Sequence, residues 1–295
     1  MLIAAVTSYC HEKYQNKESC PECTYKEHCP GRCDKCLHYI HTPAAAPAPR
    51  KYDCPNMANF YTCKYSYKYM SELVYALSQV KDLRDKKHLR VMSVGCGPCT
   101  DLFALDYLNE NGIFKFETIE YRGIDLAKTV WGEIHKQIKK YNPSKYHTHF
   151  FYQDVTELVD TIVKVKWVPD LIIFQYVFSD MEKHCEPTKL GSFISKIAQF
   201  INVDMSENTY IILNDINLTT AMGGGREHFD ELLAQIPQIE FRRYHFNNSN
   251  RATHYNYGVE YNQNDLVLKN PSYLDSYEPY TSCASAQLII KKVKK

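Results

Sequence analysis

Val94-Gly95-Cys96-Gly97-Pro98-Cys99-Thr100-Asp101 follows a short apolar strand, Arg90 to Val94, and opens a helix expected over Thr100 to Asn109. Glycine belongs in such a turn because a tight passage from strand to helix must let a ligand approach bare backbone, and the helix N-terminus offers unpaired N–H groups. A single Gly-x-Gly is weak by itself, and two later strand ends strengthen it. Gly123-Ile124-Asp125 closes a second strand, Glu117 to Ile124, with a carboxylate placed to accept hydrogen bonds from ribose hydroxyls; Leu126 follows it. Gln153-Asp154-Val155 closes a third strand, His149 to Gln153, where an acidic side chain can take the amino group of a base. Three successive strand ends then aim polar groups at one crevice, which is where open α/β sheets bind ligands.

Outward from this centre, strands and helices alternate. A helix is expected over Tyr65 to Lys81, where Tyr69, Leu73, Ala76, Leu77 and Val80 recur at helical spacing. Further helices are expected over Ala127 to Lys140, Leu190 to Phe200 and Arg226 to Gln235, and further strands over Asp170 to Gln175, Tyr210 to Asn214, Glu240 to Phe246 and Gln287 to Val293. This order implies an α/β fold: a doubly wound, mainly parallel sheet covered on both faces. The last two strands have no helix between them and suggest an antiparallel edge hairpin, with the Tyr- and Asn-rich run Asn247 to Ser282 as an excursion.

The turn, together with Gly123-Ile124-Asp125 and Gln153-Asp154-Val155, resembles the class I methyltransferases that use S-adenosylmethionine, over about residues 65 to 295. The resemblance implies that Gly95, Cys96, Gly97 and Pro98 hold the methionine part of the cofactor, Asp125 with Leu126 the ribose, and Asp154 with Val155 the adenine. Two positions depart from the family pattern: Ser93 stands where an acidic residue is common, and Cys99 where a third glycine is expected. A dinucleotide fingerprint would put Thr100 in its last place, and a Gly-Lys-Ser/Thr phosphate loop is absent. The fourth strand runs into Phe174-Gln175-Tyr176-Val177-Phe178-Ser179-Asp180, where this family sets residues beside the transferable methyl. Gln175 and Tyr176 are therefore the candidate catalytic residues, with Gln175 also against the cofactor. No Asp/Asn-Pro-Pro-aromatic motif and no Pro-Cys pair occurs there to name an acceptor.

Eight of the 12 cysteines fall in the first 63 residues: Cys10, Cys20, Cys23, Cys29, Cys33, Cys36, Cys54 and Cys63. Met1 to Val6 does not read as an export signal, so the expected compartment is the reducing cytoplasm, where clustered thiolates hold metal more often than they form disulfides. The spacings Cys20-x2-Cys23 and Cys29-x3-Cys33-x2-Cys36 suit tetrahedral zinc, and an iron–sulfur cluster is the alternative. Residues 1 to 42 show no sustained apolar period and are expected to need that metal to fold. Thr42 to Arg50, TPAAAPAPR, reads as an extended strap. The expected division is thus a small metal-stabilised module over 1–63 and a methyltransferase domain over 64–295.

The front is mildly basic, since residues 1–90 hold 14 Lys and Arg against 9 Asp and Glu while the whole chain nets +1. Phe60-Tyr61-Thr62-Cys63-Lys64-Tyr65-Ser66-Tyr67-Lys68-Tyr69 interleaves aromatics with lysines, a pattern that can stack bases and attract phosphates or can equally pack inside. RNA is the leading acceptor on this reading. A small molecule or a protein is the alternative that a closed, aromatic-lined pocket would favour, and a noncatalytic RNA- or protein-binding relative is a third. The longest apolar runs, Leu171 to Phe174 and Leu288 to Ile290, fall far short of the roughly 20 residues of a membrane span, so no membrane partner is expected.

Overall fold

Strands that are apolar on both faces are stable only with helices above and below. The computed structural model, which describes residues 1–16, 32–46, 50–247 and 256–294, has that form. Among the described residues, three α-helices precede the first strand: α1 (Leu2–Gln15), α2 (Cys33–His41) and α3 (Pro55–Ser78). The alternating part follows as β1 (His88–Val94), α4 (Thr100–Glu110), β2 (Thr118–Ile124), α5 (Lys128–Lys140), β3 (Tyr146–Phe151), α6 (Val155–Lys164) and β4 (Leu171–Gln175). It continues through α7 (Val177–His184), α8 (Pro187–Asp204), β5 (Tyr210–Ile216) and α9 (Glu227–Ala234) to β6 (Ile239–His245), β7 (Val259–Glu260) and β8 (Ser285–Lys292).

One eight-stranded sheet results, in the order β3-β2-β1-β4-β5-β8-β6-β7. Neighbours from β3 through β5 are parallel, and β8 is antiparallel to both β5 and β6. The expected doubly wound sheet with an antiparallel pair is present. Within this arrangement the closing strand inserts between β5 and β6. Ser285 to Ile290 are all buried, so β8 needs a neighbour on each side, whereas β6 exposes Glu240 and Arg242 and tolerates a place near the edge.

The period of two along the strands divides the core. Val91, Ile173 and Ile212 face α1, α3, α4 and α5, while Met92, Ile172, Phe174, Ile211 and Leu213 face α6, α8 and α9. The front of the chain shares the first of these layers. Leu2, Ile3, Val6, Thr7 and Cys10 form a buried stripe on α1 that packs against α3, and Cys33, Leu37 and Ile40 do the same on α2. A helical period is therefore present in residues 1–42. It is short and uses cysteines as apolar residues, which hides it from a hydrophobicity pattern. The helix expected from Tyr65 begins at Pro55, whose fixed φ suits a first helical position, so the expected boundary at 63/64 falls inside α3. Among the described residues, no helix is long and apolar enough to cross a membrane.

Candidate cofactor and acceptor cavity

The turn after β1 is built from positive backbone angles: φ is +63° at Gly95, +45° at Gly97 and +64° at Cys99. The place where the family pattern expects a third glycine is thus left-handed, and a cysteine occupies it. Asp125 at the end of β2 holds the turn, accepting from the Gly97 N–H at 3.0 Å with one oxygen and from the Ala127 N–H at 2.9 Å with the other. Burial pushes this carboxyl up, against the pull of those N–H groups. Asp154 caps α6 by accepting from the backbone and hydroxyl of Thr156 at 2.9 and 2.8 Å. Leu126 is left 68% exposed beside them, an apolar face that a base can cover.

These groups open onto a cavity of about 1770 Å³, whose wall includes Gly95, Gly97, Asp125, Leu126, Asp154, Val155, Gln175 and Tyr176. A pocket for one small ligand measures roughly 300–1,000 Å³, so there is room for a nucleoside cofactor and a second molecule. Two expected cofactor contacts do not reach this wall. Cys96 and Pro98 are buried and turn inward, because the turn offers only Gly95 and Gly97 to the cavity.

Gln175 and Tyr176 both line the cavity, but their polar ends are already engaged. The Gln175 amide accepts from the Thr100 hydroxyl at 2.5 Å and donates to the Tyr69 carbonyl at 2.8 Å, tying the end of β4 to α4 and α3. Tyr176 is itself left-handed, with φ +58°, and its ring stacks on Tyr69 at 4.1 Å. Its hydroxyl donates to Glu72 at 2.7 Å and accepts from the Lys68 ammonium at 2.8 Å. Burial, then the neighbouring Glu72, holds the phenol protonated, so Tyr176 serves as wall and donor rather than as base.

The Lys/Tyr junction is interior. Tyr65, Tyr67 and Tyr69 are buried, Lys68 is 8% exposed, and Lys68 pairs with the fully buried Glu72 at 3.2 Å. Tyr61, Tyr65, Tyr69 and Tyr176 contact one another in series and, with Tyr52 and Tyr280, wall the part of the cavity on the α3 side. Of the two alternatives for this run, packing is the one found, because α3 lies between the sheet and the front helices and its residues are covered from both sides.

Asp180 in the first turn of α7 also faces the cavity. Its side chain is 42% exposed, onto that space, and burial pushes its carboxyl up to about 7 against the pull of Lys183, with Asp215 and Asp125 adding to the rise. His41 lines the same wall and burial lowers it to about 4, so it is neutral near pH 7. Each acquires this character from neighbours in distant segments, which local spacing does not reveal.

The front cysteines divide. Cys10 and Cys63 are fully buried in the apolar layer between α1 and α3, where burial raises both thiols and Cys63 donates to the Thr7 carbonyl at 3.7 Å. In this position both cysteines pack as apolar core residues. Cys33 and Cys36 open α2, and Cys54 precedes α3. Cys20, Cys23 and Cys29 lie outside the described residues. Among the described residues, the one group of three or more His, Cys, Asp or Glu with ligand atoms gathered at metal-binding distance is elsewhere: Cys96, Cys99 and His135.

No protein-family model matches the chain, and no curated protein matches it in sequence. Among solved structures it is similar to the plantazolicin methyltransferase in complex with S-adenosylhomocysteine, at 12% identity over 100% of each chain with a TM-score of 0.45. It is similar to magnesium protoporphyrin IX methyltransferase from Synechocystis, also with S-adenosylhomocysteine bound, at 12% identity over 97% of this chain and 99% of that one with a TM-score of 0.44. A Clostridium thermocellum protein described as an rRNA methylase matches at 13% identity over 75% of this chain and 96% of that one, with a TM-score of 0.45.

Proposed function

We propose that the chain transfers a methyl group from S-adenosylmethionine to a small acceptor with an aromatic or apolar body, bound against the tyrosine wall. The observation that carries this reading is the continuity of one cavity from the glycine turn, Asp125 and Leu126 to Tyr65, Tyr69, Tyr176 and Tyr280. When bound, the cofactor would supply an electrophilic methyl carbon. The backbone at Gly95 and Gly97, the Asp125 carboxylate and the Leu126 face would hold it, and Asp154 and Val155 would flank its base. Gln175 and Tyr176 would align the acceptor, a service that can supply most of the rate enhancement in such a transfer. Asp180, poised near neutrality in the cavity, is placed to take the proton that an acceptor hydroxyl or amine gives up.

Lys51, Lys183 and Lys189 line the same cavity, which favours a phosphate-bearing acceptor, RNA included, as the second reading. Zinc or an iron–sulfur cluster on Cys33, Cys36 and Cys54 with Cys20, Cys23 and Cys29 stays part of the proposal, and a cytoplasmic location with it.

Incubation with methyl-labelled S-adenosylmethionine and separated small-molecule, RNA and protein fractions of a cell extract tests the assignment. Label is expected in the small-molecule fraction; label in RNA would install the second reading. Asp125→Ala is expected to weaken S-adenosylhomocysteine binding by about 1.5–3 kcal/mol, since it removes charge-assisted hydrogen bonds. Equal affinity of variant and parent by calorimetry would remove the cofactor site from this turn.

A further inference from the structure

On the side of the glycine turn away from the cavity, Cys96, Cys99 and His135 bring two thiol sulfurs and an imidazole nitrogen within 4.8 Å of one another, all buried and none lining the cavity. We propose that these three residues hold a zinc(II) ion, which clamps the cofactor turn to α5.

The donor set is that of a thiophilic ion. Two cysteines at Cys-x2-Cys spacing converge from one turn, and a histidine completes three ligands around a d10 cation with no geometric demand of its own. The plane of the histidine ring is held by two neighbours. Its Nδ1 meets the Tyr152 hydroxyl at 2.9 Å and its ring stacks on Phe150 at 3.9 Å and 7°, while Nε2 is directed at Cys96 Sγ, 3.9 Å away. An outer partner of this kind fixes the tautomer and the ring plane of a ligating imidazole. Nε2 donates to the Gly97 carbonyl oxygen at 2.7 Å, an oxygen that the Cys99 thiol also faces at 3.9 Å, so a ligating Nε2 exchanges this hydrogen bond for the bond to the ion.

Charge and backbone agree with this reading. Two thiolates around a divalent ion sum to zero, the condition under which such charges tolerate an apolar surrounding. On binding, both thiol protons leave to solvent and the imidazole proton moves from Nε2, where it meets the Gly97 carbonyl, to Nδ1, where the Tyr152 hydroxyl turns to accept it. Cys99 adopts φ +64° at the start of α4 and its side chain makes no capping bond there. A glycine would hold that conformation without strain. The thiol is what a cysteine adds at this position.

The test uses the full chain. Zinc content by elemental analysis and cobalt(II) titration are compared for the parent, Cys99→Gly, Cys96→Ser and His135→Gln, with Cys20→Ser/Cys23→Ser separating any site in the front segment. Cys99→Gly suits the left-handed backbone, so its folding is protected even where Cys96→Ser is unstable. Expected is the loss of one zinc per chain in Cys99→Gly relative to the parent, together with the thiolate-to-cobalt absorption of this site, and retention of both in Cys20→Ser/Cys23→Ser. His135→Gln should keep sulfur-to-cobalt absorption but shift the ligand-field bands. Unchanged zinc and cobalt binding in Cys99→Gly, or a parent protein isolated metal-free with a Cys96–Cys99 disulfide, would overturn the proposal.

Discussion

Glu72 is fully buried and is met by four groups, one from its own helix and three from other parts of the chain: Lys68 at 3.2 Å, the Tyr176 hydroxyl at 2.7 Å, Asn214 at 3.1 Å and the Ala284 N–H at 2.9 Å. A buried carboxylate is tolerable only with such partners, and its removal strands the ammonium that it neutralised. Glu72→Ala is therefore expected to cost about 3–5 kcal/mol in urea unfolding. Glu72→Leu combined with Lys68→Met should cost less than Glu72→Ala alone, because no charge is then left unpaired. A double variant at least as unstable as the single one would show that the pair is not electrostatically coupled. In the sequence, Lys68 stood out only as one of several lysines among tyrosines. Its partner four residues on lies on the same helix face, but nothing local says whether that face meets water or protein.

At the scale of elements, the turn between β1 and α4 separates backbone need from packing need. A Cβ on Gly97 would meet nothing closer than Trp131 at 3.8 Å, so Gly97→Ala is strained by its φ alone and is expected to cost about 1 kcal/mol. A Cβ on Gly95 would stand 2.7 Å from Val177 Cγ2 in the first turn of α7, in addition to a φ of +63°. Gly95→Ala should therefore lower the melting temperature more than Gly97→Ala, and it should also displace Val177 within the cavity wall and weaken S-adenosylhomocysteine binding. Equal effects of the two variants in melting and calorimetry would mean that α7 yields freely. The turn itself was legible as glycine spacing between a strand and a helix. Helices α6 and α7, of 10 and 8 residues, are not among the elements expected from the sequence, although α6 buries Val155, Leu158, Val159 and Ile162 at helical spacing.

Over the whole molecule, carboxyl groups from separate elements gather around the cavity: Asp125 and Asp180 line it, and Asp215 on β5 lies behind, accepting from the Ser179 N–H. Asp125, Asp180 and Asp215 are all raised by burial, with Lys183 and His184 the nearby basic groups. For Asp180 the folded value of about 7 stands above the ordinary 3.8, so between those pH values the unfolded chain holds fewer protons than the folded one. Stability contributed by keeping this carboxyl protonated is complete below 3.8 and is lost as pH rises through about 7. Other carboxylates, such as Asp82 and Glu227, are lowered by their partners and act in the opposite sense at acid pH, so the informative quantity is a difference. Asp180→Asn should gain melting temperature relative to the parent as pH is raised from about 4 to about 7, then run parallel to it above that. A gap that stays constant across the range would place the Asp180 carboxyl at an ordinary value.

The alternation of apolar strands with helices, the glycine turn and the acidic strand ends all follow from short-range spacing, and these determined the doubly wound sheet and the position of its crevice. Spacing suffices there because side-chain direction repeats every two residues in a strand and every 3.6 in a helix. Tertiary structure alone decided the rest: that Cys10 and Cys63 fill a core, that the tyrosines of α3 wall a cavity, that β8 enters between β5 and β6, and that His135 meets Cys96 and Cys99. Each of these depends on which face of one element another element covers, and burial of that kind is settled by long-range packing, not by the residues adjacent in the chain.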